Sequence, residues 1–104
     1  YTVKSSLPTL SSIEGVILDL LSSDELIGLQ LVERSGGRVK RGSVYVTLGR
    51  MGQKGYVESR TEPLSAGAVG LPRRYSRPTA FGRRVLDAST LAALAFANRM
   101  ARER

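Results

Sequence analysis

The sequence predicts a mainly α chain with a small β-ribbon, and three observations carry that reading. Apolar residues recur at helical spacing in four separate segments. Each of those segments has its own start or stop signal. Two β-compatible stretches flank a loop of small residues, Gly and Pro.

The first helix opens on Ser11-x-x-Glu14, a capping box in which a hydroxyl and a carboxylate satisfy the free N–H groups of the first turn. Ile13, Val16, Ile17, Leu20 and Leu21 then form an apolar face, which predicts a helix over Ser12–Leu21. A break at 22–26 has room for a very short strand. A second helix over about 27–35 is expected to bury Leu29 with Val32 or Leu31, and Gly36-Gly37 ends it. The third runs from Arg41 or Gly42 to Lys54 and stops at Gly55. Within it Val44, Leu48 and Met51 make a core stripe, while Ser43, Thr47, Arg50 and Lys54 make a polar one. Gly49 and Gly52 lower its helix propensity by about 1 kcal/mol each relative to Ala, and share a stripe with Tyr45.

Residues 56–62 and 73–77 read as strands around the loop at 63–71, with Pro72 and Pro78 bounding the second. Thr79 is a natural N-cap for a long helix reaching about Met100. In it Phe81 and Val85 are expected to join the core, and Ala88, Ala92 and Ala95 continue their stripe with Leu91 and Leu94 beside it. Three helices followed by a two-stranded ribbon make a winged helix-turn-helix. Residues 1–78 form that unit and 79–104 the closing helix, packed together in a chain of 104 residues.

Charge narrows the partner. The net charge of +7 is uneven: residues 1–33 are acidic, and the excess of bases lies in 34–84. Thirteen of the sixteen bases are Arg, whose planar fork matches phosphate and guanine edges. Charge concentrated in this way points to a polyanion. With no Cys and no His, disulfides, zinc sites on thiolate or imidazole, and the common nucleophile–base pairs are excluded. No catalytic residues, metal site or cofactor are expected. The longest apolar run, 91–97, is too short to span a membrane, and no secretory signal is evident, in keeping with a cytoplasmic protein. Tyr1 stands where Met would begin an intact chain.

The residue types assign roles on duplex DNA. Arg50 suits a guanine, Ser43 and Thr47 suit bases or phosphates, and Lys54, at the far end, suits a phosphate. Arg38, Lys40 and Arg41 precede the third helix, whose N-terminus favours phosphate. Arg73 and Arg74 on the second strand suit phosphate or the minor groove, although a charged edge strand also resists aggregation. Gly49-x-x-Gly52-x-x-Gly55 lacks the order of a nucleotide-binding loop, and helix plus cap explains it.

The segment Arg41-Gly42-Ser43-Val44-Tyr45-Val46-Thr47-Leu48-Gly49-Arg50-Met51, followed by Lys54-Gly55-Tyr56-Val57, resembles the recognition helix of the PadR family and its exit into the wing. Leu26-Ile27-Gly28-Leu29 sits where that family has an apolar-x-Gly-Tyr sequence, with Leu29 in place of Tyr. The stretch from Pro72 to Gly82 is similar to its wing strand and Thr-x-x-Gly approach to the last helix, with Pro78 where an aliphatic residue is usual. The resemblance covers roughly residues 10–90. It implies a sequence-specific, homodimeric repressor of transcription, dimerised through the C-terminal helix, with Tyr45 at the DNA; packing is the other reading of Tyr45. It also implies a small-molecule effector of unknown identity, but six aromatics and no Trp define no aromatic box. A DNA- or RNA-binding module without sequence preference would share the charge map, whereas a protein-interaction winged helix would lack the basic stripe.

Overall fold

The capping box forms as the sequence dictates. Ser11 Oγ accepts from Glu14 N–H at 3.2 Å, and Glu14 Oε1 accepts from Ser11 N–H at 2.9 Å. They start α1 (Ser12–Leu21) in the computed structural model, which describes residues 10–64, 67 and 69–103. Tyr1 and parts of the wing loop lie outside the described residues. Strand β1 (Leu26–Ile27) leads directly into α2 (Gly28–Arg34), followed by α3 (Val44–Gln53). The wing is β2 (Val57–Glu62) and β3 (Arg73–Pro78), and α4 (Ala80–Arg102) closes the chain.

The three strands form one antiparallel sheet in the order β1-β3-β2. Leu26 pairs with Ser76, so the sheet's short strand β1 ties the helical core to the base of the wing. Ile17, Leu18, Leu31, Val39, Val44 and Met51 fill the centre, with Val57 from the wing and Val85 from α4. Burial therefore joins every element to one core.

Two expectations about that core need correction. Leu29 is 39% exposed, because the seven-residue α2 turns Leu31 inward and places Leu29 two positions away on its outer side. Phe81 is 41% exposed and stands at the margin of the core, its ring tilted against that of Tyr56 at 5.8 Å. The third helix also begins later than expected, because residues 41–43 form a turn before it.

The Thr-x-x-Gly sequence has a packing cause. Thr79 Oγ1 accepts from Gly82 N–H at 2.9 Å and donates to the Gly55 carbonyl, while Thr79 N–H donates to Tyr56 O at 3.0 Å. A Cβ on Gly82 would lie 2.0 Å from the Tyr56 carbonyl oxygen. Only glycine lets α4 start this close to the chain leaving α3. Gly55, at φ +81°, makes the left-handed turn between them.

Candidate nucleic-acid interface

Helix α3 is fixed by one side and bare on the opposite one. Val44 and Met51 are fully buried, and Leu48 and Thr47 half-buried. At 100° per residue, the positions opposite Val44 and Met51 are Val46, Gly49 and Gln53. All three are exposed. The polar stripe read from the sequence is thus a flank of the helix, not its outermost side. The apolar and glycine residues hid the outward direction. It was recoverable from the core stripe, by taking the opposite side in place of the polar one.

Lys54 has a partner inside the protein. Its ammonium donates to Glu14 Oε2 at 2.7 Å, and the Glu14 side chain is only 6% exposed. Burial alone would raise the Glu14 pKa, but the Lys54 hydrogen bond and charge, with the bonds to Ser11, hold it below the ordinary carboxylate value. This pair joins the start of α1 to the end of α3, forty residues apart.

The remaining cations divide in the same way. Arg60 forks onto Glu25 at 2.8 and 3.0 Å, lies 3.6 Å from Glu62 and covers the Tyr75 ring. Hydrogen bonding from Arg60 lowers the Glu25 pKa, and the same contact raises that of Arg60. Arg34 pairs with Asp24 and Arg77 with Glu58. Among the described residues, Arg38, Lys40, Arg41, Arg50, Arg73 and Arg74 have no acidic partner. Arg83, Arg84, Arg99 and Arg102 of α4 are likewise without one, so the acids leave free both the cations next to α3, Lys40, Arg41, Arg50 and Arg74, and those of the last helix.

The N-terminus of α3 strengthens the anion-attracting side. Ser11 and Thr79 cap α1 and α4, whereas no side chain caps α3 and no acid sits in its first turn. Lys40 and Arg41 lie immediately before it. Free N–H groups beside two cations favour phosphate. Arg38 is placed elsewhere, lining a groove of about 520 Å³ between α1 and α4 with Asp19, Val16, Leu86 and Leu94. That volume is within the usual range for small-molecule sites.

Strand register separates the two wing arginines. Thr61 pairs with Arg74 and Glu62 with Arg73, and neighbouring residues of a strand face opposite ways. Arg74 shares the side of Val57 and Ser76, and with Tyr45, Gly49, Gly52 and Gln53 lines a cleft of about 410 Å³ between α3 and the wing. Arg73 lies on the reverse side with Arg60 and Arg77. Tyr45 packs on one side and is open on the other: its ring lies where a Cβ on Gly28 would come within 2.6 Å, and it is 64% exposed at the cleft. Gly49 and Gly52 have nothing within 4 Å of a Cβ position, so neither serves internal packing.

Beyond Leu86, α4 leaves the core. Ala88, Leu91, Ala92, Leu94 and Ala95 are all exposed, as are Phe96 and Met100. Leu94 turns toward the α1 groove, whereas Ala88, Ala92 and Ala95 lie on another side of the helix. No described helix is long and apolar enough to cross a membrane.

A helix-turn-helix with an exposed third helix, followed by a paired two-stranded wing, with unneutralised cations on and next to both, defines the winged-helix class. The description "Transcriptional regulator PadR-like family" matches residues 17–88, so the chain belongs to the PadR-like family and is by class a DNA-binding transcriptional regulator. A PadR-family transcription regulator of Clostridium difficile R20291 superposes with a TM-score of 0.73 at 21% identity, covering 88% of this chain and 97% of that one. One from Eggerthella lenta DSM 2243 gives 0.70 at 21% identity, covering 85% and 77%. A PadR-like regulator of Bacillus cereus gives 0.62 at 26% identity, covering 86% and 88%. Comparison with curated proteins returns no match.

Proposed function

We propose that the chain is a sequence-specific, homodimeric repressor that inserts α3 into the major groove of duplex DNA. The observation that carries this reading is the partition of its cations: ion pairs hold Arg34, Lys54, Arg60 and Arg77, and leave the cations flanking α3 unpaired. Arg50 reads a guanine, with Ser43 and Thr47 at neighbouring bases or phosphates. Lys40, Arg41 and the uncapped α3 N-terminus hold one phosphate strand, and Arg74 holds the backbone beside the cleft with Tyr45. Arg73 meets phosphate from the far side of the wing.

Residues 1–78 form the DNA-reading unit and α4 the dimer arm. The apolar side chains that α4 exposes past the core need cover, and a second copy supplies it through Leu91, Leu94 and the alanine stripe. Two α3 helices then meet half-sites about 34–36 Å apart. A cytoplasmic location follows from the partner. Titration against the chain's own promoter region and a scrambled duplex at two salt concentrations tests the reading. A preference on the order of 10³-fold or more for the promoter is expected. Equal affinity contradicts a sequence-specific regulator and favours a non-specific module, while no binding at low salt favours a protein partner.

A further inference from the structure

Val46 has no use inside this fold. It is a β-branched residue in a helix, 57% exposed on the side opposite the core. The neighbouring helical positions on that side are Gly49 three residues after and Arg50 four after. A Cβ at Gly49 would meet nothing within 4 Å, so the isopropyl group stands beside a bare position of the helix. Arg50 lies one turn on from it and Lys40 and Arg41 precede the helix, all without acidic partners among the described residues, and no acid occupies the first turn of α3. The surface therefore fits a polyanion that offers one apolar point of contact.

In the major groove that point is the 5-methyl group of thymine, which apolar side chains recognise. We infer that Val46 contacts a thymine methyl, and so sets the sequence preference of α3 together with Arg50. This rests on the DNA-reading proposal above and goes one residue further. Four residues of helix advance about 6 Å, and base pairs follow at about 3.4 Å. The half-site should therefore carry a T·A pair about two steps from the G·C pair at Arg50. Gly49 permits the approach, because it presents no side chain beside Val46.

The test begins with duplexes selected from a random library by the full chain. Each thymine of the selected half-site is then replaced by deoxyuridine, one at a time, for the wild type and for Val46→Ala. One replacement should weaken wild-type binding about fourfold, the effect of one buried methyl, and leave the binding of Val46→Ala unchanged. The variant should melt no lower than the wild type, since Ala is the better helix former. If no deoxyuridine weakens the wild type, or if Val46→Ala responds equally, the thymine contact is wrong. In that case a weakened guanine preference in Arg50→Ala would leave the DNA-reading proposal standing. Failure to enrich any sequence overturns both.

Discussion

The two ends of α3 are built in opposite ways. At its C-terminal end Lys54 is held by Glu14, Gly55 turns the chain, and Tyr56 N–H returns to Met51 O at 2.8 Å. At its N-terminal end no side chain caps the helix, and Lys40 and Arg41 stand without acidic partners among the described residues. Lys54 uses its charge to hold the protein together, whereas Lys40 and Arg41, like Arg50 in the last turn, leave theirs free. Basic residues of one helix can thus serve different purposes, and pairing distinguishes them better than residue type does.

Substitutions can break the two uses of charge separately, with Arg50, unpaired although in the last turn of α3, on the side of the free cations. The largest effect lies behind the locked end: Gly82→Ala drives a methyl into the Tyr56 carbonyl, and should lower stability by about 3 kcal/mol in chemical denaturation. Arg50→Ala should do the reverse. Its unfolding free energy stays within about 0.5 kcal/mol of wild type, while discrimination at one base pair falls by about 2 kcal/mol in competition binding. Lys54→Ala leaves the buried Glu14 carboxylate short of a donor and should lower stability by about 1 kcal/mol. The salt dependence of its DNA binding should not change. A reduced salt slope for Lys54→Ala would restore the phosphate role that the sequence alone assigns to it.

The smallest effect is a pH dependence. The Glu14 pKa is lower in the folded protein than its unfolded value near 4.5. The stability it adds is complete above that value and disappears as pH falls through the lowered pKa. Glu14→Gln should flatten the acid limb of the stability profile. An unchanged limb would mean that the Lys54 contact contributes nothing to folding.

Local signals carried most of the fold. Ser11-x-x-Glu14, Gly55 and Thr79 mark element ends through bonds made within a few residues, so α1, the turn after α3 and the start of α4 all lie where the sequence predicts. The two-residue β1 was legible only as a break with room for a strand, because Leu26 is held by Ser76, fifty residues away. The site was legible in composition and less so in direction. Ser43, Thr47, Arg50 and Lys54 look like an outward face because they are polar, yet Thr47 is half-buried and Lys54 is turned back to α1. Glu14 carries a local capping signal that conceals its distant partner. The difference between Arg73 and Arg74 depends on strand register, which adjacent identical residues do not reveal.

The division of the cations is the central claim, and the salt dependence of duplex binding tests it most directly. Two variants are compared with wild type: one with Lys40, Arg41, Arg50 and Arg74 replaced by Gln, the other with Arg34, Arg60 and Arg77 replaced by Gln. Removing one phosphate-binding cation should reduce the log–log salt slope by about 0.9. The account predicts a much shallower slope with unchanged melting for the first variant, and a near wild-type slope with lowered melting for the second. An equally shallow slope in both would contradict it.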